Sequence, residues 1–337
     1  MKKSVRTMIK EWMLPIAMLT GASIYLIYNI LPDPVHKAGP FLSGAVSLLQ
    51  PLLIFSMLFL TFCRIEPKDL KPHRWHWWLL LIQGGLFSAL GLLALWVIKA
   101  FPGDFHDKVV LIESAMLCLI CPTATAAAVV TGKLGGDVAG ITTYTVLINL
   151  VTAVLVPLIV PMLHPMEGMD FWTAFSMIVA KIFPLLILPC LAAWLVRYLA
   201  PRIHRKLLNF PDLAFYLWAI ALTLAITVTT KSIVHSTMSP HLLILMGLIS
   251  LVCCAFQFAM GRFVGGRYRP RTYSPMVEER GKEIRKVTAG QALGQKNTVF
   301  AIWMGYTFMT PETAIIGGLY SIWHNLYNSR QLRNAGK

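Results

Sequence analysis

Charge is scarce in this chain, and negative charge scarcest: 15 Asp and Glu stand among 337 residues, against 30 Lys and Arg. Charged residues make up 13% and hydrophobic ones 56%, with a mean hydropathy of +0.64, a balance that excludes most soluble globular classes. Short segments of alternating polarity are missing too, which excludes a transmembrane β-barrel. The six cysteines, Cys63, Cys118, Cys121, Cys190, Cys253 and Cys254, all fall in or at the ends of apolar runs, so they are no secreted disulfide framework. No H-E-x-x-H occurs, and "HRWH" from His73 to His76 is an isolated pair in a basic connection, so neither an enzyme nor a metal site is read. "GKLGGD", from Gly132 to Asp137, lacks the spacing of a phosphate loop and reads as a tight turn.

What is present is a series of apolar runs, each long enough to cross a hydrocarbon core, which takes about 17 to 25 residues. Ten are expected: 12–31, 40–63, 77–100, 109–131, 138–163, 172–196, 213–234, 241–261, 287–309 and 312–328. Helices follow because in lipid every backbone amide must be satisfied within its own segment. The basic N-terminus resembles a signal peptide, but the run from Trp12 to Ile30 is too long for a signal core and is read as the first helix. With the N-terminus inside, cytoplasmic segments hold 24 Lys and Arg against 4 outside, which puts both termini in the cytoplasm, in the inner membrane of a bacterial cell. The lipid bilayer, not nucleic acid, then answers the net charge of +15, and the basic connection from Arg262 to Lys286 is a solvated anchor on the anionic leaflet. Trp75, Trp77 and Trp78 read as an interfacial belt.

Five spans per half would make residues 1–163 and 164–337 two inverted repeats. Span four contains "CPTATAAAVVTGKLGG" and span nine "GQALGQKNTVFA", both rich in small and polar residues. Pro122 removes a helical hydrogen bond and clashes with the preceding turn. In span nine Gly290 and Gly294 weaken the helix, while Gln291, Gln295 and Asn297 offer competing hydrogen bonds. Both helices are therefore expected to open near the midplane, where unwound backbone is tolerated only if buried in protein or lining a cavity.

Cys-Pro followed by a Thr-Ala pair (Cys121, Pro122, Thr125, Ala126), together with Gly294 and Asn297 in span nine, resembles the bile acid/sodium symporter family. The resemblance implies an all-α polytopic fold of ten transmembrane helices in two inverted five-helix repeats. A panel domain would comprise spans one, two, six and seven, and a core domain the rest, with helices four and nine broken and crossing. It implies a secondary transporter, not an enzyme, that moves an organic anion such as a bile salt or small carboxylate by alternating access. Pro122, Thr123, Thr125, Gly294, Gln295, Lys296 and Asn297 would line the substrate site, and Lys296, Gln83, Thr145 and Gln291 the ion site or its substitute. The departures bear on the ion. Where relatives carry a Ser-Asn pair this chain has Ala127 and Ala128; where they carry a glutamate it has Ala292; and Lys296 replaces a glutamine. Sodium prefers oxygen ligands, so sodium coupling is doubtful and no cofactor is expected.

Lys296 lies about ten residues from either end of span nine, roughly 15 Å at 1.5 Å per residue, out of reach of bulk solvent. An ammonium at that depth costs roughly 2.5 to 3.5 kcal/mol, so partners are expected: carbonyl oxygens freed by the breaks, and Gln83. Four roles are open to it: a tethered substitute for sodium, a proton carrier, a direct contact of the anionic substrate, or a purely structural packing against a carbonyl with no part in transport. A sodium- or proton-coupled symporter and a non-transporting receptor on the same fold are the alternatives. Glu113, a turn into span four, reads as an interfacial, solvated acid, one that pairs with a cation, or one that lines the external entrance, and Glu312 as a helix-start acid beside Pro311.

Overall fold

A computed structural model describes residues 5–31, 39–101, 103, 105–164, 170–268 and 275–335. Among them the chain is all-helical. Its helices are α1 (Val5–Ile30), α2 (Gly39–Phe62), α3 (Arg74–Ala100), α4 (His106–Ile120), α5 (Ala126–Lys133), α6 (Val138–Leu163) and α7 (Phe171–Leu199). There follow α8 (Pro201–Leu208), α9 (Leu213–Val234), α10 (Pro240–Arg267), α11 (Pro275–Gly294), α12 (Thr298–Phe308) and α13 (Ile315–Ala335). Short 3-10 turns cover Pro67–Asp69 and Pro311–Ala314.

Local chemistry sets several boundaries. Asp137 accepts the Gly140 N–H at 2.9 Å and opens α6, while Gly135 (φ 72°) takes the left-handed turn before it, so "GKLGGD" is a turn and a cap. Ser239 accepts the Leu242 N–H and precedes Pro240 at the first position of α10. Among the described residues six helices are long and apolar enough to cross a membrane: Trp12–Ile30 of α1, Gly44–Phe62 of α2, and α3, α6, α9 and α10. They fall on expected spans one, two, three, five, seven and eight. Expected spans four and nine are each divided, into α4 and α5 and into α11 and α12. Span six falls on α7, which carries Pro184 and Pro189 inside it, and span ten begins in the 3-10 turn Pro311–Ala314 and continues in α13.

The chain divides into two compact units, neither contiguous: residues 1–66, 184–236 and 325–337 form one, and 67–183 and 237–324 the other. In the first, α1 and α9 pack backbone to backbone. A Cβ on Gly21 would lie 2.4 Å from the Thr223 carbonyl, and Thr227 donates to the Gly21 carbonyl at 3.0 Å. Below them Arg197 reaches the Ile65 carbonyl (2.8 Å), and the His204 ring lies 2.8 Å from that of Cys63.

In the second unit α10 and α11 approach through Gly261 and Gly265. Added Cβ atoms there would meet the carbonyls of Ala289 and Arg285 at 2.3 and 2.4 Å, so the pair fits only with glycine at both positions. One apolar cluster of this unit joins Trp75 and Leu79 of α3 to Ile141, Tyr144 and Ile148 of α6 and to Ala289, Ala292 and Leu293 of α11. Trp75 is thus a correction to the interfacial belt. It is 3% exposed and stacks near Tyr144, whereas Trp77 and Trp78 are 54% and 63% exposed. All six cysteines are free thiols.

Candidate functional site

The two helix interruptions meet. Between α4 and α5 the chain is unwound over residues 121–125, where Pro122 has no N–H to continue the ladder. Between α11 and α12 it is unwound over 295–297. Gly294 has a steric reason to be glycine: a Cβ there would sit 2.4 to 2.6 Å from the Phe258 ring. The two unwound strands pair antiparallel, Thr123 opposite Lys296. Ala124 N–H donates to the Gln295 carbonyl at 2.9 Å, and Asn297 N–H to the Pro122 carbonyl at 2.8 Å. Each break therefore supplies the other with one backbone donor and one backbone acceptor, as unwound backbone at this depth demands.

The carbonyls freed at the end of α4 are capped one after another by side chains. Gln257 Nε2 donates to Cys118 (3.0 Å) and Lys296 Nζ to Leu119 (3.0 Å). Thr152 Oγ1 donates to Ile120 (3.1 Å), and Gln83 Nε2 to Ile120 and Cys121 (3.3 and 3.2 Å). At the end of α11, Thr123 Oγ1 donates to Ala292 (2.6 Å) and Tyr320 Oη to Gly294 (2.7 Å). The capping is reciprocal. Lys296 closes the carbonyl four residues before Thr123, and Thr123 closes the one four residues before Lys296. Glutamine and tyrosine recur around both ends: Tyr144 donates to Gln83 at 2.9 Å, and Gln257 Nε2 lies 3.1 Å from Tyr320 Oη. Gln257, Thr152 and Tyr320 are not singled out by the sequence. A lone glutamine in the apolar run "CCAFQFAM" is the signal that could have found Gln257.

The expected site residues separate into groups. Pro122, Thr123, Gly294, Gln295, Lys296 and Asn297 converge on the crossing. Asn297 caps α12 by accepting the Phe300 N–H at 3.2 Å, and the Lys296 N–H points to His324 Nδ1 at 3.4 Å. Gln295 is 1% exposed, and neither end of its side-chain amide has a hydrogen-bond partner among the described residues. Thr125 is half-buried at the start of α5, and its side chain makes no cap. Gln83 serves the same helix end as Lys296 but bonds carbonyls and Tyr144 instead of the ammonium. Thr145 returns its hydroxyl to Ile141 of its own helix at 2.9 Å, and Gln291 is buried on the last turn of α11.

The Lys296 side chain is 2% exposed and ends where the negative pole of α4 lies. A hydrogen bond to a charged donor contributes about 1.5 to 3 kcal/mol, and a cation at a helix C-terminus about 0.3 to 1, reaching ~2 when partly buried. Together these are of the size of the roughly 2.5 to 3.5 kcal/mol that the ammonium costs at this depth. Beside it is a cavity of about 10 Å³ bordered by Cys118, Cys121, Thr298 and Tyr320, the size of a single water.

Glu113 corrects the reading as a solvated interfacial acid. Its side chain is fully buried, pairs with His164 after the end of α6, and accepts the Thr310 N–H at 3.1 Å. The carboxylate raises the affinity of the His164 imidazole for its proton above the ordinary value, chiefly through their hydrogen bond, against the effect of burial. Glu312 lies in the first turn of the 3-10 segment after Pro311. No cluster of three or more His, Cys, Asp or Glu among the described residues is arranged to hold a metal ion.

A family model for the sodium bile acid symporter family matches residues 51–238, more than half of the chain and inclusive of the first break. The chain belongs to the sodium bile acid symporter family. No curated protein matches it. Membership makes it a membrane transporter of the bile acid symporter type. The sodium that the family name carries fits these residues poorly. Ala127, Ala128 and Ala292, at the positions where the resemblance places oxygen ligands, lie together in the apolar cluster with Leu79, Tyr144 and Ile148. A hard cation finds no compensating carboxylate there.

Proposed function

We propose that the chain is a sodium-independent secondary transporter of an organic anion, bile-acid-like or a small carboxylate, working by alternating access with Lys296 as a fixed cation in place of bound sodium. The observation that carries this reading is the bond from Lys296 Nζ to the Leu119 carbonyl, combined with an apolar cluster in place of the ligand set. The resemblance implies that family members couple transport to mobile sodium; here the positive charge is covalently part of the unwound strand after α11 and stays through every cycle. A charge that cannot leave stores no ion gradient, which favours facilitated diffusion or exchange over concentrative symport.

In the same reading the ten expected spans form two inverted repeats, with panel and core domains that rock against each other and both termini in the cytoplasm of a bacterial cell. The unwound segments and the positive N-terminal ends of α5 and α12 then line the anion site with Pro122, Thr123, Thr125, Gln295 and Asn297. The test is uptake of organic anions into proteoliposomes with sodium and pH gradients imposed one at a time. Flux that is equal in sodium and in choline media is expected. Flux that appears only with inward sodium would refute the reading.

A further inference from the structure

A second lysine lies at membrane depth. Lys181 is ten residues into α7, roughly 15 Å along the helix axis, about half of a hydrocarbon core near 30 Å thick. Unlike Lys296 it is exposed. Its ammonium has no acidic partner among the described residues and rests over the Trp303 ring of α12, 5.5 Å from the centroid. That ring is held rigidly: Phe300 and Phe308, both buried, pack against it with centroids 5.3 and 5.5 Å away. A cation over an aromatic face gains about 0.5 to 1 kcal/mol when exposed and ~2 when desolvated. That falls short of the roughly 2.5 to 3.5 kcal/mol for an ammonium at mid-depth, so the contact with Trp303 does not by itself account for the position. What is missing among the described residues is an anion, and α12, the helix that carries Trp303, is capped by Asn297 next to the crossing.

We propose that Lys181 and Trp303 form the subsite that recognises the charged end of an amphipathic organic anion, a carboxylate or sulfonate on the ammonium with the adjoining apolar body against the half-exposed indole. This rests on the reading of the chain as an organic-anion transporter and adds to it the residue pair that selects the cargo. The aromatic face keeps the ammonium in place with no competing acid among the described residues, so a ligand's acid group can form a charge-assisted bond there without displacing an ion pair of those residues. Trp303 presents the flat apolar surface that a steroid or aryl body needs.

The experiment measures saturable binding of radiolabelled cholate to the full chain in lipid nanodiscs, with empty nanodiscs subtracted. Wild type, Lys181→Gln and Lys181→Arg are compared, and cholate methyl ester serves as an uncharged competitor. Binding at least about tenfold weaker in Lys181→Gln is expected, with Lys181→Arg within a few fold of wild type and the ester as poor against wild type as cholate against Lys181→Gln. Equal affinity of wild type and Lys181→Gln overturns the proposal, as does an ester that competes as well as the acid, or a wild type that shows no saturable cholate binding. Since Lys181→Gln could bind poorly for want of folding, Lys181→Cys is also tested for modification by a water-soluble sulfonated thiol reagent, with wild type as the background for the native thiols. Modification that cholate slows supports the subsite; a thiol at this position that no aqueous reagent reaches faces lipid and overturns it. Sodium-free uptake of a small carboxylate by wild type reports on the transport reading separately, so either idea can fail alone.

Discussion

Replacing Lys296 by methionine removes the ammonium while leaving a side chain of similar length, and the structure fixes what should follow. Two favourable contributions disappear: the charge-assisted bond to Leu119, about 1.5 to 3 kcal/mol, and the helix-end attraction, about 0.3 to 1. One unfavourable contribution disappears with them, the roughly 2.5 to 3.5 kcal/mol of holding a cation in the membrane's interior. What remains is the Leu119 carbonyl without its donor, a penalty of about 1 to 3 kcal/mol. Lys296→Met should therefore be destabilised by only about 1 to 2 kcal/mol, less than the roughly 3 to 5 kcal/mol that follows when one partner of a buried ion pair is removed. Lys296→Gln, whose amide can still donate, should lie between it and wild type. Lys296→Glu, a carboxylate facing a carbonyl at the negative end of a helix, should fail to accumulate as folded protein. The assays are thermal unfolding of purified protein and uptake into proteoliposomes. Folded Lys296→Met without uptake assigns the charge to transport. Two outcomes would refute the reasoning: Lys296→Met as unstable as Lys296→Glu, or Lys296→Met that transports as wild type does.

Three further outcomes follow from single contacts. Thr123→Val removes the hydroxyl that closes the Ala292 carbonyl and should lower stability by about 1 to 3 kcal/mol, while Thr123→Ser stays near wild type in the same unfolding assay. Gly294→Ala drives a Cβ into the Phe258 ring, an overpacking worth about 1 to 3 kcal/mol, and Phe258→Leu in the same chain should recover part of the loss of melting temperature. The His164 imidazole holds its proton more tightly folded than unfolded, so its pairing with Glu113 contributes stability that is complete below the ordinary imidazole range and lost as pH rises through the raised value. Melting temperature should accordingly fall from pH 6 upward in wild type, and Glu113→Gln should flatten that slope; a slope unchanged in the variant would remove the pair from the account.

The all-helical membrane character and the family were legible in length, hydropathy and a few motif residues, because both follow from local composition. The breaks were legible for different reasons. Pro122 announces the first through a missing donor, whereas the second rests on Gly294, whose tight fit against Phe258 depends on a residue 36 positions away. The expectation that Lys296 meets a freed carbonyl agrees with its bond to Leu119, since a chain break and a buried ammonium each demand a partner. Which carbonyl, and that Gln83 serves its neighbours instead, depends on the pairing of the two strands. The solvated reading of Glu113 failed because its partners, His164 and Thr310, come from other helices' ends, whereas the alternative of an acid that pairs with a cation agrees with the contact to His164. Trp75 was misjudged because three tryptophans in one short run suggest a single environment, while helical rotation turns one of them into the interior.

The reciprocity between Thr123 and Lys296 ties the fates of the two interruptions together. Straightening one coil would strip a donor from the other, so neither can rewind or unravel by itself, and the four half-helices behave as a single clasped joint. In the alternating-access cycle proposed above, whatever travels would carry that joint as a block, and a lesion on either strand would be felt on both.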